Sequence, residues 1–170
     1  MVALGDSIIG RNAQSDIVKR MVEEFDTSGA DAVIAFETVP RQDVVNYGVA
    51  RPRGEAGAVF PLQDIVEKPT IAEAPSTLAV AARYVFKPVI FDWLARTPPG
   101  KGGEIQLTDA IRLLLGHGGK VVGVRLGPQE RRYDIGNFES YFRAFIEFAL
   151  ADPKYGAELR QFVHELLKTM

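Results

Sequence analysis

The 170 residues carry 20 Lys and Arg against 22 Asp and Glu, with the charges interspersed, which excludes a basic stripe for nucleic acid and a polybasic membrane patch. Hydrophobic residues make up 46% of the chain, enough for the core of one domain, while the absence of cysteine excludes disulfides, thiolate catalysis and cysteine-based zinc sites. Two histidines leave little material for histidine metal sites or Ser–His–Asp chemistry, and with no signal peptide or apolar run near membrane-span length the expectation is a cytoplasmic protein without membrane or nucleic-acid partners.

Val2-Ala3-Leu4 reads as the end of a buried strand stopped at Gly5-Asp6. Residues 13–28 follow a helical period, with Ile17, Val18, Met21, Val22 and Phe25 on one face and Gly29 as the stop. Asp31 to Val39 is apolar and β-branched, so strand, helix and strand form a βαβ unit, which implies a parallel pair and a right-handed crossover. Tyr47 to Ala50 and Ala58 to Phe60, separated by a Pro/Gly-containing stretch, read as a hairpin. Ile65 to Pro69 is a short strand ended by proline, and Leu78 to Phe86 a strong strand. A short helix runs from Pro88 to Leu94, with proline in its first turn. The Pro/Gly-rich residues 97–103 are a loop, and Thr108 to Leu115 is a helix with Asp109 at the positive end of its dipole. Gly116 to Gly119 is a C-cap and turn, Lys120 to Leu126 a strand, and Tyr133 lies near the end of another. Phe138 to Leu150 and Gly156 to Leu167 are amphipathic helices. The pattern is one mixed α/β domain over residues 1–170, with a hairpin-and-strand region at 48–80 and closing helices at 138–168.

Three groups of residues could carry chemistry. Asp6 follows a strand at the end where open α/β sheets bind ligands, and a carboxylate there can hold Mg²⁺ together with water and phosphate oxygens. By itself, Gly5-Asp6 is equally a turn. Gly5-Asp6-Ser7-Ile8 also resembles the Gly-Asp-Ser-Leu esterases, but the Asp-x-x-His of that family is absent: Gln161 precedes His164 by three residues, and Leu114 precedes His117. Glu67-Lys68-Pro69 offers a carboxylate for sugar hydroxyls and an ammonium for phosphate, if the chain bends there; Pro69 ends the ladder and is expected to hold Lys68 extended. Asp134, in Arg131-Arg132-Tyr133-Asp134-Ile135-Gly136, is a second strand-end carboxylate, alternatively a helix cap or turn, and the two arginines read as a solvated face.

Order and spacing say more than any one motif. Leu4-Gly5-Asp6, Tyr47-Gly48-Val49, Val66-Glu67-Lys68-Pro69, the stretch from Ala74 to Val80, the stretch from Gly103 to Ala110, and Arg132-Tyr133-Asp134-Ile135-Gly136-Asn137 together resemble the sugar-phosphate nucleotidyltransferases, closest to the bacterial glucose-1-phosphate uridylyltransferase branch. The resemblance implies a Rossmann-like mixed sheet of the glycosyltransferase-A type with C-terminal helices. It implies transfer of a uridylyl group from UTP to glucose 1-phosphate, Mg²⁺ as cofactor, and a homo-oligomer. It assigns Asp6 and Asp134 to Mg²⁺, Gly48, Glu67 and Val80 to the glucosyl group, Lys68 to its phosphate, and Glu104 to the neighbourhood of the sugar. Thr77 departs from the family's asparagine, and Gly5 is commoner in the thymidylyl branch, so a thymidylyltransferase and a non-catalytic sugar-phosphate-binding module are the alternatives. None of the sixteen glycines lies in the basic, glycine-rich triphosphate loop with which the family begins, so the chain is expected to be the C-terminal part of a longer enzyme, truncated at its N-terminus.

Overall fold

The computed structural model describes residues 1–10 and 15–170, with the side chain of Lys101 set aside. Their contacts gather into two compact units.

The first unit comprises Met1–Leu4 and Asp16–Gly127. Its strands are β1 (Val2–Ala3), β3 (Ala32–Thr38), β4 (Gly48–Pro52), β5 (Val59–Glu67), β6 (Leu78–Phe86) and β7 (Val121–Arg125), and β2 belongs to the second unit. They form one sheet in the order β1-β6-β3-β7-β5-β4. A single pairing, Val49 with Ala79, links β4 back to β6, so the sheet curls on itself. Helices α1 (Ile17–Ser28), α2 (Ile90–Arg96) and α3 (Leu107–Gly116) complete the unit.

Burial explains the layout. β3 and β6 are almost continuously buried, as strands between two neighbours must be. Phe36, Phe60, Ile65, Ile111 and Leu114 close the core between the sheet and α3. Gly123 is a glycine because the Phe60 ring lies where a Cβ would stand. Helix α1 ends at Gly29, whose φ of 70° is the left-handed cap that glycine adopts at least cost. Residues 13 and 14, which the sequence pattern adds to this helix, lie outside the described residues.

Two expectations change here. β1 and β3 are not hydrogen-bonded neighbours: β6 runs between them, antiparallel to both, and the parallel pairing is β3 with β7. The βαβ period is local and cannot register a strand inserted from 40 positions later. β1 is also exposed, because β6 pairs with one side of it alone and it forms the sheet edge. The hairpin is present, with its second strand running unbroken from Val59 to Glu67.

The second unit comprises Gly5–Ser15 and Pro128–Met170. β2 (Ser7–Ile9), a strand the sequence pattern does not reveal, pairs antiparallel with β8 (Arg132–Asp134). Asn137 caps α4 (Phe138–Ala151) by accepting from the Ser140 amide at 3.0 Å. α4 covers the ribbon through Tyr133, whose ring meets Phe148 edge-on at 5.0 Å and whose hydroxyl reaches Glu147 at 3.1 Å. α5 (Gly156–Lys168) follows α4 closely: a Cβ on Gly156 would stand 2.5 Å from the Leu150 carbonyl oxygen. No helix among the described residues is long and apolar enough to cross a membrane.

Candidate active site

In the first unit, the β4–β5 register sets Gly48 opposite Glu67. Gly48 is buried, and three side chains crowd its bare face. A Cβ built there would lie 3.0 Å from Thr108 Oγ1, 3.2 Å from Glu67 Oε2 and 3.3 Å from Val80 Cγ2. A strand pair, the start of β6 and the first turn of α3 thus converge on one backbone atom, and that position must be glycine. Sequence reasoning named Gly48, Glu67 and Val80; it missed Thr108, which reads as one more helical residue. The available signal was a β-branched polar residue on the inward face of an amphipathic helix.

Lys68 follows directly. Its amide donates to the Tyr47 carbonyl at 2.9 Å, extending the ladder one step beyond Gly48 and Glu67. Its φ is 43°, left-handed rather than extended, which corrects the expectation placed on Pro69. The bend that lets adjacent residues serve one ligand is made by Lys68 itself, against the usual preference of a residue preceding proline. The loop before β6 is tied by Ser76, which donates to the Ala50 carbonyl at 2.6 Å and accepts from the Leu78 amide at 3.0 Å. Thr77 contributes its carbonyl, which accepts from the Val39 amide at 3.0 Å. Glu104 stands exposed on the loop before α3, away from the three atoms nearest Gly48.

In the second unit, Ser7 pairs with Asp134 across the ribbon, and the Ile135 amide donates to the Asp6 carbonyl at 2.8 Å. Asp6 and Asp134, distant in sequence, therefore end on the same turn. A Cβ on Gly136 would lie 3.3 Å from Asp134 Oδ1 and 3.5 Å from Asp6 Oδ2, so both carboxylates face one small space. Asp134 Oδ1 accepts from the Gly136 amide at 2.9 Å, and Arg132 Nη1 stands 3.9 Å from Oδ2. The reading of both arginines as a solvated face holds for Arg131, 65% exposed over Tyr133, and fails for Arg132, whose side chain is 7% exposed. Ser7 is 6% exposed, a poor position for a nucleophile, which closes the esterase alternative. Among the described residues, no group of three or more His, Cys, Asp or Glu gathers to hold a metal. Two convergent carboxylates suit a hard cation that takes its other ligands from water and phosphate oxygens.

The nucleotidyl transferase family matches residues 1–149 of the chain. The chain belongs to that family. A UTP–glucose-1-phosphate uridylyltransferase of Haemophilus influenzae is 39% identical over 153 residues, covering 88% of this chain and 50% of the relative. A UTP-bound UDP-glucose pyrophosphorylase of Acinetobacter baumannii superposes with a TM-score of 0.82 at 35% identity, covering 96% of this chain and 55% of that one. A UDP-glucose pyrophosphorylase complexed with UDP-glucose gives 0.75 at 34% identity, covering 84% and 52%. The fold is thus the mixed α/β nucleotidyl transferase fold, and the chain spans about half the length of the curated relatives it matches.

Proposed function

We propose that this nucleotidyl transferase chain is the sugar-phosphate-binding part of a UTP–glucose-1-phosphate uridylyltransferase. In the reaction, a phosphate oxygen of glucose 1-phosphate attacks the α-phosphorus of UTP. A new P–O bond forms, the bond to the β-phosphate oxygen breaks, and pyrophosphate leaves with the electron pair. The naming of the relatives supports the uridylyl branch over the thymidylyl one. The observation that carries the reading is the bare face of Gly48, with a carboxylate, a hydroxyl and a methyl group turned toward it.

Phosphoryl chemistry of this kind needs positioning and charge neutralisation more than covalent work. Glu67 accepts hydrogen bonds from glucose hydroxyls, Val80 packs on the ring, and Gly48 lets the sugar approach the backbone. Lys68 neutralises the attacking phosphate and fixes its direction. Glu104 lies on the loop that closes toward the sugar. Asp6 and Asp134 would hold a divalent cation, Mg²⁺ by the chemistry of the donor set. When bound, the cation offsets the negative charge that gathers at the α-phosphate. The resemblance gives the triphosphate to a loop absent from these 170 residues. Homo-oligomer formation belongs to the same proposal, supported by the exposed aromatic stripe of Phe138, Phe142 and Phe145 on α4.

Gly48→Ala tests the reading. The added methyl meets three atoms at 3.0 to 3.3 Å and fills the approach to the backbone. Titration calorimetry of the 170-residue chain should show glucose 1-phosphate binding weakened about tenfold or more, roughly 1.4 kcal/mol, with the circular dichroism spectrum retained. Unchanged affinity in the variant would exclude this face as the sugar site.

A further inference from the structure

Gln106-Leu107-Thr108-Asp109-Ala110 opens α3, with Gln106 as its N-cap. A threonine within a helix commonly donates its hydroxyl to a carbonyl three or four residues back. Two threonines of this chain do so: Thr27 Oγ1 reaches the Glu23 carbonyl at 2.7 Å, and Thr97 Oγ1 the Trp93 carbonyl at 2.8 Å. Thr108 does not. The residue is 8% exposed, yet its hydroxyl has no hydrogen-bond partner in the protein among the described residues. Burying a hydroxyl without a partner opposes folding, and valine would fill the same volume without that cost.

The hydroxyl is aimed at a site. It stands 3.0 Å from the Cβ position of Gly48, beside Glu67 Oε2 at 3.2 Å from the same point. The Glu67 carboxylate likewise has no hydrogen bond or ion pair within the protein among the described residues. The two groups are chemically complementary. A carboxylate only accepts, whereas a threonine hydroxyl can also donate. A single alcohol of the ligand, lying over Gly48, can donate its proton to Glu67 and accept from Thr108 on its oxygen. That arrangement reads a hydroxyl group and nothing else of that size: a missing oxygen leaves two buried polar groups unpaired, and a methyl in its place leaves both unpaired against carbon.

We propose that Thr108 is a specificity-determining contact of the site, reading together with Glu67 one ring hydroxyl of a hexose 1-phosphate. The inference rests on the proposed sugar-phosphate function and adds to it the residue that discriminates hydroxylated from deoxygenated sugars.

The test compares Thr108→Val and Thr108→Ser with the unaltered 170-residue chain. Calorimetric titrations use glucose 1-phosphate and its 2-, 3-, 4- and 6-deoxy analogues. Thr108→Val should bind glucose 1-phosphate about tenfold more weakly, roughly 1.4 kcal/mol, while Thr108→Ser stays within about threefold. One deoxy analogue should bind the unaltered chain and Thr108→Val equally, because the partner of the lost hydroxyl is already gone; the other analogues should keep the tenfold difference. Thr108→Val should melt no lower than the unaltered chain, since an unpaired buried hydroxyl has been removed, a result that a purely structural threonine would not give. Equal glucose 1-phosphate affinity in Thr108→Val would overturn the inference and leave the proposed function standing. An equal loss on all four analogues would assign Thr108 a structural role and overturn it too. Failure of the unaltered chain to bind any of these sugar phosphates would remove the proposed function and the inference with it.

Discussion

Lys68 occupies a left-handed conformation, φ 43°, immediately before a proline. Residues held there cost roughly 1–3 kcal/mol and persist where the surroundings over-determine them. Here the Tyr47 carbonyl on one side and the buried ring of Pro69 on the other fix the backbone. The return is geometric, because Glu67 and Lys68 would point to opposite faces of a straight strand. Lys68→Gly separates backbone from side chain. Glycine adopts this φ freely, so the thermal midpoint, read from Trp93 fluorescence, should stay level or rise. Affinity for glucose 1-phosphate should fall by about tenfold or more, since a charge-assisted phosphate contact is worth roughly 1.5–3 kcal/mol. Retained affinity would remove Lys68 from the phosphate site. The type of residue at 67 and 68 was legible in the sequence, and the conformation was not, because proline's local preference argues for an extended Lys68 and the strand register overrides it. Thr108 was illegible for a related reason: whether a helical threonine is packing or binding depends on what faces it across the fold.

At the scale of elements, continuous apolar runs and glycine stops were read well. Helix α1 with its Gly29 cap, the β4–β5 hairpin and the proline-led α2 follow local rules, and local rules are visible in sequence. Strand order is set by long-range pairing, and the insertion of β6 between β1 and β3 leaves no local mark. One side chain does record it afterwards. Asp31 accepts from the Lys120 amide at 2.9 Å and from Lys87 Nζ at 3.0 Å, so it ties the start of β3 to residues flanking β7 and β6. The Lys120 backbone hydrogen bond, followed by the Lys87 ammonium, holds its carboxyl below the ordinary value of 3.8 against the opposing effect of burial. A carboxyl lowered in the folded state stabilises fully above its unfolded pKa, and the contribution is lost as pH falls through the folded value. Asp31→Asn should therefore cost about 1 kcal/mol at neutral pH, in keeping with its partial exposure. The gap between the two proteins should hold constant down to the usual carboxylate range and narrow on further acidification. Denaturant melts across pH measure it; a gap that widens in acid would mean that Asp31 is not the clamp.

At the scale of the molecule, the residues assigned to sugar phosphate lie in the first unit and those assigned to the cation in the second. The sequence made both groups legible as candidates but could not say which would meet. The pairing of Ser7 with Asp134 brings Asp6 and Asp134 to one turn, because the antiparallel ribbon joins segments from the two ends of the chain. Binding and catalysis should then be separable. The 170 residues should bind glucose 1-phosphate through Gly48, Glu67, Lys68, Val80 and Thr108, because these side chains are contributed within one unit. They should not make UDP-glucose, since in-line transfer demands a triphosphate held to within a few tenths of an ångström, and misplacement by roughly 1 Å can cost 10²-fold. Incubation with UTP, glucose 1-phosphate and Mg²⁺, followed by chromatography for UDP-glucose and pyrophosphate, checks the second half. Asp6→Asn and Asp134→Asn sharpen the first half: each should leave calorimetric glucose 1-phosphate binding within about twofold, while abolishing the broadening that Mn²⁺ produces in amide signals around Gly136. Turnover by the chain alone would show that these residues hold the triphosphate after all. Loss of sugar-phosphate binding in either aspartate variant would show that the two groups act as one site, and the division of roles between the units would have to be abandoned.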